Sequence, residues 1–293
     1  MTPSHSVLAA DWLGACRRAA REIRAQLDEP LTRAERLAET GTIGEGGDRT
    51  LILDAAAEDA VFAQLEALHA EGLEFFALSE ERGEVAFGCP DPATCVRVLI
   101  DPIDGSLNAK RGLPHHALSI AVADGPTMAD VAFAYVYDFG PDEEWHARRG
   151  EGAWLDGNKL SEAPVERRSK DGRLEILAIE SADPRYLYLA GEMANTARRL
   201  RILGAMAVSL CQVAAGRVDG MVSLWRCRAV DVAAAQLIAR EAGAFVAFPR
   251  CEDPLGAPLD IEPHSPVVAA LTEAALAELA TVPVPQAMQG TPT

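Results

Sequence analysis

The chain has 293 residues, 49% of them apolar, and a formal net charge of −17 at pH 7. This apolar content is enough to bury a full core, so intrinsic disorder is not expected, and the acidic excess argues against nucleic acid or an anionic membrane as the main partner. No apolar run reaches the roughly 18 residues of a membrane helix, and the N-terminus lacks a basic segment followed by an apolar run. We therefore expect a soluble, unprocessed protein.

Six cysteines are spread along the chain without a Cys-x-x-Cys pair. This spacing is unlike a dense disulfide framework, which is typical of small secreted domains. The cysteines therefore favour a reducing cytoplasm as the location.

The N-terminal region predicts two helices. Residues 7–28 repeat apolar side chains at helical spacing with arginines on the other face, which is typical of an amphipathic helix. A polar, glycine-rich stretch follows at residues 41–47. Asp54 then opens a second helical pattern, which stops near Gly72.

Two apolar runs, residues 73–78 and 96–100, predict buried strands, and each run leads directly into acidic residues. Carboxylates are therefore expected to gather at strand ends. The residues concerned are Glu80, Glu81, Asp101 and Asp104.

Three further apolar runs, followed by a turn at residues 156–158, predict an antiparallel meander. The runs are residues 118–123, 131–137 and 144–148.

From Leu174 onward, predicted strands alternate with predicted helices, which indicates a layered α/β arrangement. We therefore expect an N-terminal α+β half (residues 1–150) with most candidate ligands, a C-terminal α/β half (151–280) and a flexible tail (281–293). The predicted strands are 174–179, 199–203, 220–224, 245–248 and 267–271, and the predicted helices are 186–197, 205–215 and 231–242.

The strongest motif is the segment Ile100-Asp101-Pro102-Ile103-Asp104-Gly105-Ser106-Leu107-Asn108. Proline fixes φ and glycine permits a tight turn, so the chain bends after the strand and presents both carboxylates on one side. The amides of Asp104, Gly105 and Ser106 can then point together at an anion. The alternative is an ordinary turn, because Asp-Pro and Asp-Gly are common turn formers.

This segment resembles the Asp-Pro-Ile-Asp-Gly-Ser/Thr-x-Asn signature of the inositol monophosphatase superfamily. Upstream, Ser79-Glu80-Glu81 is similar to the family's Glu-Glu segment. Downstream, residues 230–234 (Val-Asp-Val-Ala-Ala) resemble the family's Trp-Asp-x-Ala-Ala helix start, with Val230 in place of tryptophan. The resemblance covers about residues 7–275.

Details of the sequence resemble the archaeal-type dual inositol monophosphatase/fructose bisphosphatase proteins more than the animal inositol monophosphatases. The animal enzymes carry a glutamate that contacts inositol a few residues before the metal-binding aspartate, and this chain has Leu224 there. Specificity for inositol is therefore open. The segments with dual-type character are 46–50, 54–59, 204–205 and 226–231.

The resemblance implies an α/β (α+β) fold, a layered αβαβα sandwich with the metal site between its two halves. It implies hydrolysis of phosphate monoesters with two or three Mg²⁺ ions, Mn²⁺ being possible, which agrees with ligands that are oxygen atoms only. Cations would also supply the positive charge that an acidic protein needs to bind phosphate. In the family, the matching residues hold one ion with Glu80, Asp101 and the Ile103 carbonyl, a second with Asp101, Asp104 and Asp231, and a third with help from Asp54.

The resemblance also assigns catalytic roles to Asp54, Glu80 and Ser106. The Ser106 hydroxyl would orient and help to deprotonate a metal-bound water, with Asp54 behind it. An alternative for Asp54 is a simple helix N-cap, a position that aspartate favours.

Substrate contacts are expected from the turn after the buried strand and from the C-terminal half. Arg226 and Arg228 are placed either to reach a second phosphate or to pair with the acidic cluster, and the sequence leaves both open. The expected phosphate and substrate contacts are Asp104, Gly105, Ser106, Gly204, Ala205, Arg226 and Arg228.

Three functions remain in view. The first is a phosphatase acting on inositol monophosphate or on sugar phosphates such as fructose bisphosphate. The second is a nucleotide phosphatase acting on phosphoadenosine bisphosphate, which would need a base-binding surface that the sequence does not show. The third is a partner-binding protein of the same fold without catalysis. A homodimer is expected by family analogy only.

Overall fold

A computed structural model describes residues 3–29, 39–43, 49–91, 94–160, 162–181, 183–186 and 188–281. The glycine-rich residues 46–48 and almost all of the predicted tail (282–293) lie outside the described residues.

The first strands form a hairpin and a large sheet. β1 (Glu39–Ile43) and β2 (Arg49–Leu51) pair with each other. The large sheet consists of β3 (Phe75–Ser79), β4 (Gly83–Phe87), β5 (Arg97–Asp104), β6 (Ala117–Ala123), β7 (Val131–Asp138), β8 (Glu143–Arg148), β9 (Gly152–Leu155) and β10 (Asn158–Lys159). Its spatial order is β10-β9-β8-β7-β6-β5-β3-β4. The run from β6 to β10 is antiparallel throughout, which confirms the predicted meander.

The N-terminal helices cover one face of this sheet. They are α1 (Pro3–Leu8), α2 (Trp12–Leu27) and α3 (Ile52–Ala70), and the apolar side chains of α2 and α3 share one core with β3, β5, β6 and β7. The predicted single helix at 7–28 is therefore divided. Asp11 causes the division, because its carboxylate accepts a hydrogen bond from the Gly14 amide (3.0 Å) and caps α2.

The second sheet has five strands, β11 (Leu174–Glu180), β12 (Ala197–Arg201), β13 (Gly220–Ser223), β14 (Phe245–Ala247) and β15 (Val268–Ala270), in the order β12-β11-β13-β15-β14. β12, β11 and β13 run parallel, and β15 and β14 complete the sheet in antiparallel fashion.

The remaining helices are α4 (Ser106–Arg111), α5 (Leu189–Glu192), α6 (Met206–Ala214), α7 (Ala229–Glu241) and α8 (Glu273–Ala280). α6 and α7 are buried between the two sheets and share one core with both, while α8 packs on the outer face of the second sheet. The layers are therefore helix, sheet, helix, sheet, helix. This arrangement confirms the predicted αβαβα sandwich.

Three features differ from the sequence prediction. The helix predicted at 186–197 is reduced to α5 and a 3₁₀ turn at Met193–Asn195, because Gly191 disfavours a longer helix and the segment buries little more than Leu189 and Met193. Strands β1, β2, β4, β9 and β10 and helices α4 and α8 were not predicted. Cys89 and Cys95 form a disulfide, which the cysteine spacing had not indicated.

The predicted division near residue 150 stays a prediction, and the large sheet continues past it to Lys159. Of the helices in the described part of the chain, none combines the length and apolar composition needed to cross a membrane.

Candidate active site

Three carboxylates meet at one edge of the large sheet. β3 and β5 are parallel neighbours with Ser79 opposite Ile100, so Glu80 and Asp101 come next to each other as the two strands end. Asp231 reaches the same place from the first turn of the buried helix α7. Oxygen atoms of Glu80, Asp101 and Asp231 all lie within 4.8 Å of one another. We call these three side chains the acidic group.

The turn after Asp101 is held by its own side chain and by a glycine. Asp101 Oδ1 accepts a hydrogen bond from the Ile103 amide (3.0 Å). Gly105 adopts φ 80°, and a Cβ atom there would lie 2.9 Å from the His115 carbonyl oxygen and 3.0 Å from that of Gly204. Another residue would be strained in conformation and would clash with two backbone segments, which explains why the motif needs glycine.

Asp104 lies beside the acidic group and lines the same cavity, but it has a further structural role. Its Oδ1 accepts a hydrogen bond from the Met206 amide (3.0 Å) and its Oδ2 from the Ala207 amide (2.7 Å). These are amides at the start of α6, where a negative charge is favourable. The predicted second metal site, which includes Asp104, stays a prediction.

Arg228 forms ion pairs with two members of the acidic group. Its Nη1 lies 2.7 Å from Glu80 Oε1 and its Nη2 lies 2.8 Å from Asp231 Oδ1. Of the two uses that the sequence left open for this arginine, the structure therefore places it on the carboxylates. A contact with phosphate stays a prediction.

Burial and mutual repulsion dominate the electrostatics of the site. Burial raises the pKa of Glu80 to about 7, a rise that Arg228 opposes and Asp231 reinforces. Burial, with repulsion from Glu80 and Asp104, raises the pKa of Asp101 well above its usual range. Burial and Asp231 likewise raise the pKa of Asp104, against the effect of its amide hydrogen bonds.

The acidic group fits a bound divalent cation. Its donors are carboxylate oxygens only, which suits hard cations such as Mg²⁺ or Mn²⁺. Repulsion between the converging carboxylates helps to raise the pKa of Glu80 and Asp101, and a cation bound between them would remove that cost.

A cavity of about 410 Å³ extends from the acidic group. Gly204 and Ala205 also line this cavity, and their contact with substrate stays a prediction. Leu107 and Ile202 add partly exposed apolar side chains. Arg226 is not among the described residues that line the cavity, and its guanidinium lies 5.8 Å from the centre of the Trp225 ring. A direct role for Arg226 in substrate binding stays a prediction.

Asp54 and Ser106 lie next to the acidic group, at a second and smaller cavity. Both line a small cavity of about 20 Å³, together with Glu80 and Asp101. Asp54 lies inside the first turn of α3, which begins at Ile52, so the alternative of an N-cap is wrong. Ser106 borders both cavities, which is compatible with the predicted contact to water and phosphate.

Two supporting residues were missed by the sequence analysis. Glu180, the last residue of β11, is buried, lines the cavity and accepts hydrogen bonds from the amides of Leu203 (3.0 Å) and Gly204 (3.1 Å). The rule that found the other carboxylates, an acid at the end of an apolar run, would have found it. Glu58 on α3 accepts hydrogen bonds from Ser79 Oγ and from the Arg82 amide (3.1 Å), and so holds the turn that carries Glu80.

Asn108, the last residue of the motif, links two loops through hydrogen bonds. Its Nδ2 donates to the carbonyl oxygens of His115 (2.8 Å) and Leu203 (2.7 Å). The first carbonyl follows α4 and the second precedes α6. The motif thus fixes the Gly204 wall of the cavity relative to the acidic group.

The sequence model of the Inositol monophosphatase family matches residues 6–285. The chain belongs to the inositol monophosphatase family. This result confirms the resemblance found in the motif.

Three individual proteins illustrate the similarity. The fructose-1,6-bisphosphatase/inositol-1-monophosphatase of Methanothermobacter thermautotrophicus is 29% identical over 245 residues, 80% of this chain and 83% of that protein. The Nus factor SuhB of Escherichia coli K12 is 35% identical over 173 residues, 58% of this chain and 61% of that protein. The crystal structure of the MJ0109 gene product, an inositol monophosphatase-fructose 1,6-bisphosphatase, superimposes with a TM-score of 0.76 and 25% identity over 94% of this chain and 100% of that one.

The resemblance to the dual-type branch is confirmed by these relatives, and the family is one of metal-dependent phosphatases. The chain is therefore a phosphatase, a hydrolase of phosphate esters.

Proposed function

We propose that the protein is a magnesium-dependent phosphatase that hydrolyses the monoesters of phosphorylated polyols and sugars, including inositol monophosphate and fructose bisphosphate. The main support is the acidic group of Glu80, Asp101 and Asp231, which converges at the end of a cavity of about 410 Å³. The names of its dual-type relatives support the substrate class.

Each residue near the acidic group has a proposed task. Divalent cations bound there would neutralise phosphate oxygens and lower the pKa of a bound water. Ser106 is proposed to orient the attacking water through its Oγ, and Asp54 to accept a proton from the Ser106 hydroxyl. The amides of Gly105 and Ser106 are proposed to donate to phosphate oxygens, which would keep the ester in line with that water.

The part of the cavity lined by Gly204 and Ala205 would bind the alcohol part of the substrate. Gly204 and Ala205 bring backbone close to the cavity, and Glu180 fixes Gly204 through its amide. Leu224, where the animal enzymes have an inositol-binding glutamate, is buried. This difference supports a range of sugar and polyol phosphates rather than a strict inositol specificity.

The nucleotide phosphatase is the weaker alternative. A base usually stacks on an aromatic ring, and no aromatic residue is among the described residues lining the cavity. Tyr186 and Trp225 stack on each other instead, with ring centres 5.0 Å apart.

Phosphate release from a panel of esters tests the proposal. Inositol phosphate, fructose bisphosphate, glycerol phosphate and phosphoadenosine bisphosphate would each be incubated with Mg²⁺ and with EDTA. We expect metal-dependent release from the polyol and sugar phosphates. Release from the nucleotide alone would favour the alternative phosphatase. No release from any ester would favour a substrate outside this panel first and a partner-binding role second.

A cytoplasmic location and a homodimer are further parts of the proposal. The homodimer rests on family analogy, and light scattering would test it.

The Cys89–Cys95 disulfide stands against the reducing environment that the cysteine spacing suggested. Counting the reactive thiols of protein isolated from the cytoplasm tests this point. If two more cysteines react than the disulfide would leave free, the disulfide is absent there.

A further inference from the structure

Arg228 lines the candidate metal site and contacts two of its carboxylates. Its guanidinium contacts Glu80 through Nη1 and Asp231 through Nη2 and Nε, at distances from 2.7 to 3.3 Å. Its side chain is only 20% exposed. Two of the three carboxylates of the acidic group thus already have a cationic partner that belongs to the protein itself.

The chain also anchors this arginine firmly. Arg228 is the N-cap residue of α7, and its amide donates to Asp231 Oδ2 (3.0 Å). Backbone and guanidinium therefore hold the same aspartate, so the arginine is placed on the acidic group by the start of the helix. The third member, Asp101, lies near enough for its charge to act on the guanidinium.

A divalent cation held by the acidic group and this guanidinium would draw on the same carboxylates. Glu80 Oε1 and Asp231 Oδ1, which belong to the acidic group, are the atoms that receive the two Nη donors. A cation that takes either of these oxygen atoms would have to replace the guanidinium there. The ion pairs of Arg228 would thus compete with metal binding.

We propose that Arg228 is an exchangeable internal cation, which neutralises the acidic group in the metal-free protein and sets the metal concentration at which the site fills. The inference rests on the proposed function in one respect, namely that a divalent cation binds to this group. It adds a role for a residue of this chain: Arg228 competes with the metal rather than assisting its binding.

Calorimetric titration of the metal-free protein with Mg²⁺ tests this role without substrate. In Arg228→Gln we expect an affinity about tenfold higher or more, because charge-assisted hydrogen bonds no longer have to be broken. Arg228→Lys keeps the charge but loses the planar fork, so its affinity should lie between the two. Arg217→Gln is the matched control, since Arg217 forms a similar ion pair with Glu143 (2.7 Å) outside the site, and its Mg²⁺ affinity should stay that of the unaltered protein.

The outcomes separate the two claims. If the unaltered protein binds no Mg²⁺, the proposed function is wrong. If it binds Mg²⁺ and Arg228→Gln binds equally or more weakly, only the competing role of Arg228 is wrong.

A second measurement covers the case in which Arg228→Gln does not fold without metal. The Nε–Hε NMR signal of Arg228, assigned by its loss in Arg228→Lys, is followed during a Mg²⁺ titration of the unaltered protein. We expect the signal to shift and its hydrogen to exchange faster as the ion pairs break. An unchanged signal at saturating Mg²⁺ would overturn the inference.

Discussion

Asp104 and Ala207 are joined by a hydrogen bond of 2.7 Å between the Asp104 carboxylate and the Ala207 amide. The bond links the end of β5 in the large sheet to the start of α6, which lies between the two sheets. An aspartate in a motif that resembles a metal-binding signature therefore also helps to hold the two parts of the fold together. Asp101, three residues earlier, has no comparable bond to the second half among the described residues.

This difference predicts that the two aspartates respond differently to neutralisation. Asp101→Asn removes one of several repelling, buried carboxylates and keeps the Oδ1 atom that accepts from Ile103. The metal-free protein should therefore become more stable, by at least about 1 kcal/mol. Asp104→Asn leaves one amide of α6 facing an NH₂ group, which costs about 1–3 kcal/mol. Thermal unfolding in EDTA should thus rank Asp101→Asn above Asp104→Asn.

Glu84→Gln is the control for this pair, because it removes a charge from an exposed position on strand β4 of the same sheet. Its midpoint should stay close to that of the unaltered protein. Equal midpoints for Asp101→Asn and Asp104→Asn would contradict the structural role assigned to Asp104.

Ser106 should affect turnover more than metal binding. Ser106→Ala removes the hydroxyl proposed to orient water, so kcat should fall about 100-fold or more, while the Mg²⁺ affinity stays similar. Ser106→Thr keeps the hydroxyl and should retain most of the activity. Loss of metal binding in Ser106→Ala, or an unchanged kcat, would show that the role is wrong.

Asn108 is expected to act through the position of a loop. Asn108→Ala leaves the carbonyl oxygens of His115 and Leu203 without their side-chain donor, so the free energy of unfolding should fall by about 1–3 kcal/mol. KM should rise because the Gly204 wall shifts. Asn158→Ala is the control, since Asn158 bonds only an exposed turn carbonyl. If both variants have the same midpoint of unfolding and the same KM, Asn108 does not hold the two loops together.

The pH dependence of stability should be unusual when metal is removed. The folded-state pKa of Glu80 is raised from 4.5 to about 7, so the folded protein binds more protons than the unfolded chain within this window. Stability in EDTA should therefore decrease as the pH rises from 5 to 7, with roughly 2 kcal/mol contributed by Glu80 alone. Glu80→Gln should make this slope less steep, and saturating Mg²⁺ should reverse it, since metal requires ionised carboxylates. A rise in stability over this range in EDTA would contradict the prediction.

Much of the fold and several site residues follow from the sequence. Apolar runs that end in acids place Glu80 and Asp101 correctly, because parallel neighbouring strands end at the same edge of a sheet. The Asp-Pro-Ile-Asp-Gly-Ser motif explains the turn, and Gly105 proves necessary for both its φ and its lack of a side chain. These features depend on local sequence, which is why they could be predicted.

What could not be predicted depends on distant partners. The ion pair of Arg228 is formed with Glu80, 148 residues away. Asn108 acts through Leu203, 95 residues away. Such pairings follow from the packing of the layers rather than from spacing along the chain.

The central claim is that the acidic group binds a divalent cation that phosphate release requires. The most direct test measures Mg²⁺ binding by calorimetry and phosphate release from fructose bisphosphate and inositol phosphate, on the same preparations of the unaltered protein, Asp101→Asn and Glu84→Gln. We predict that Asp101→Asn folds but loses Mg²⁺ affinity and at least about 100-fold of its activity, while Glu84→Gln keeps both. An Asp101→Asn variant with unchanged Mg²⁺ affinity and unchanged phosphate release would contradict the account.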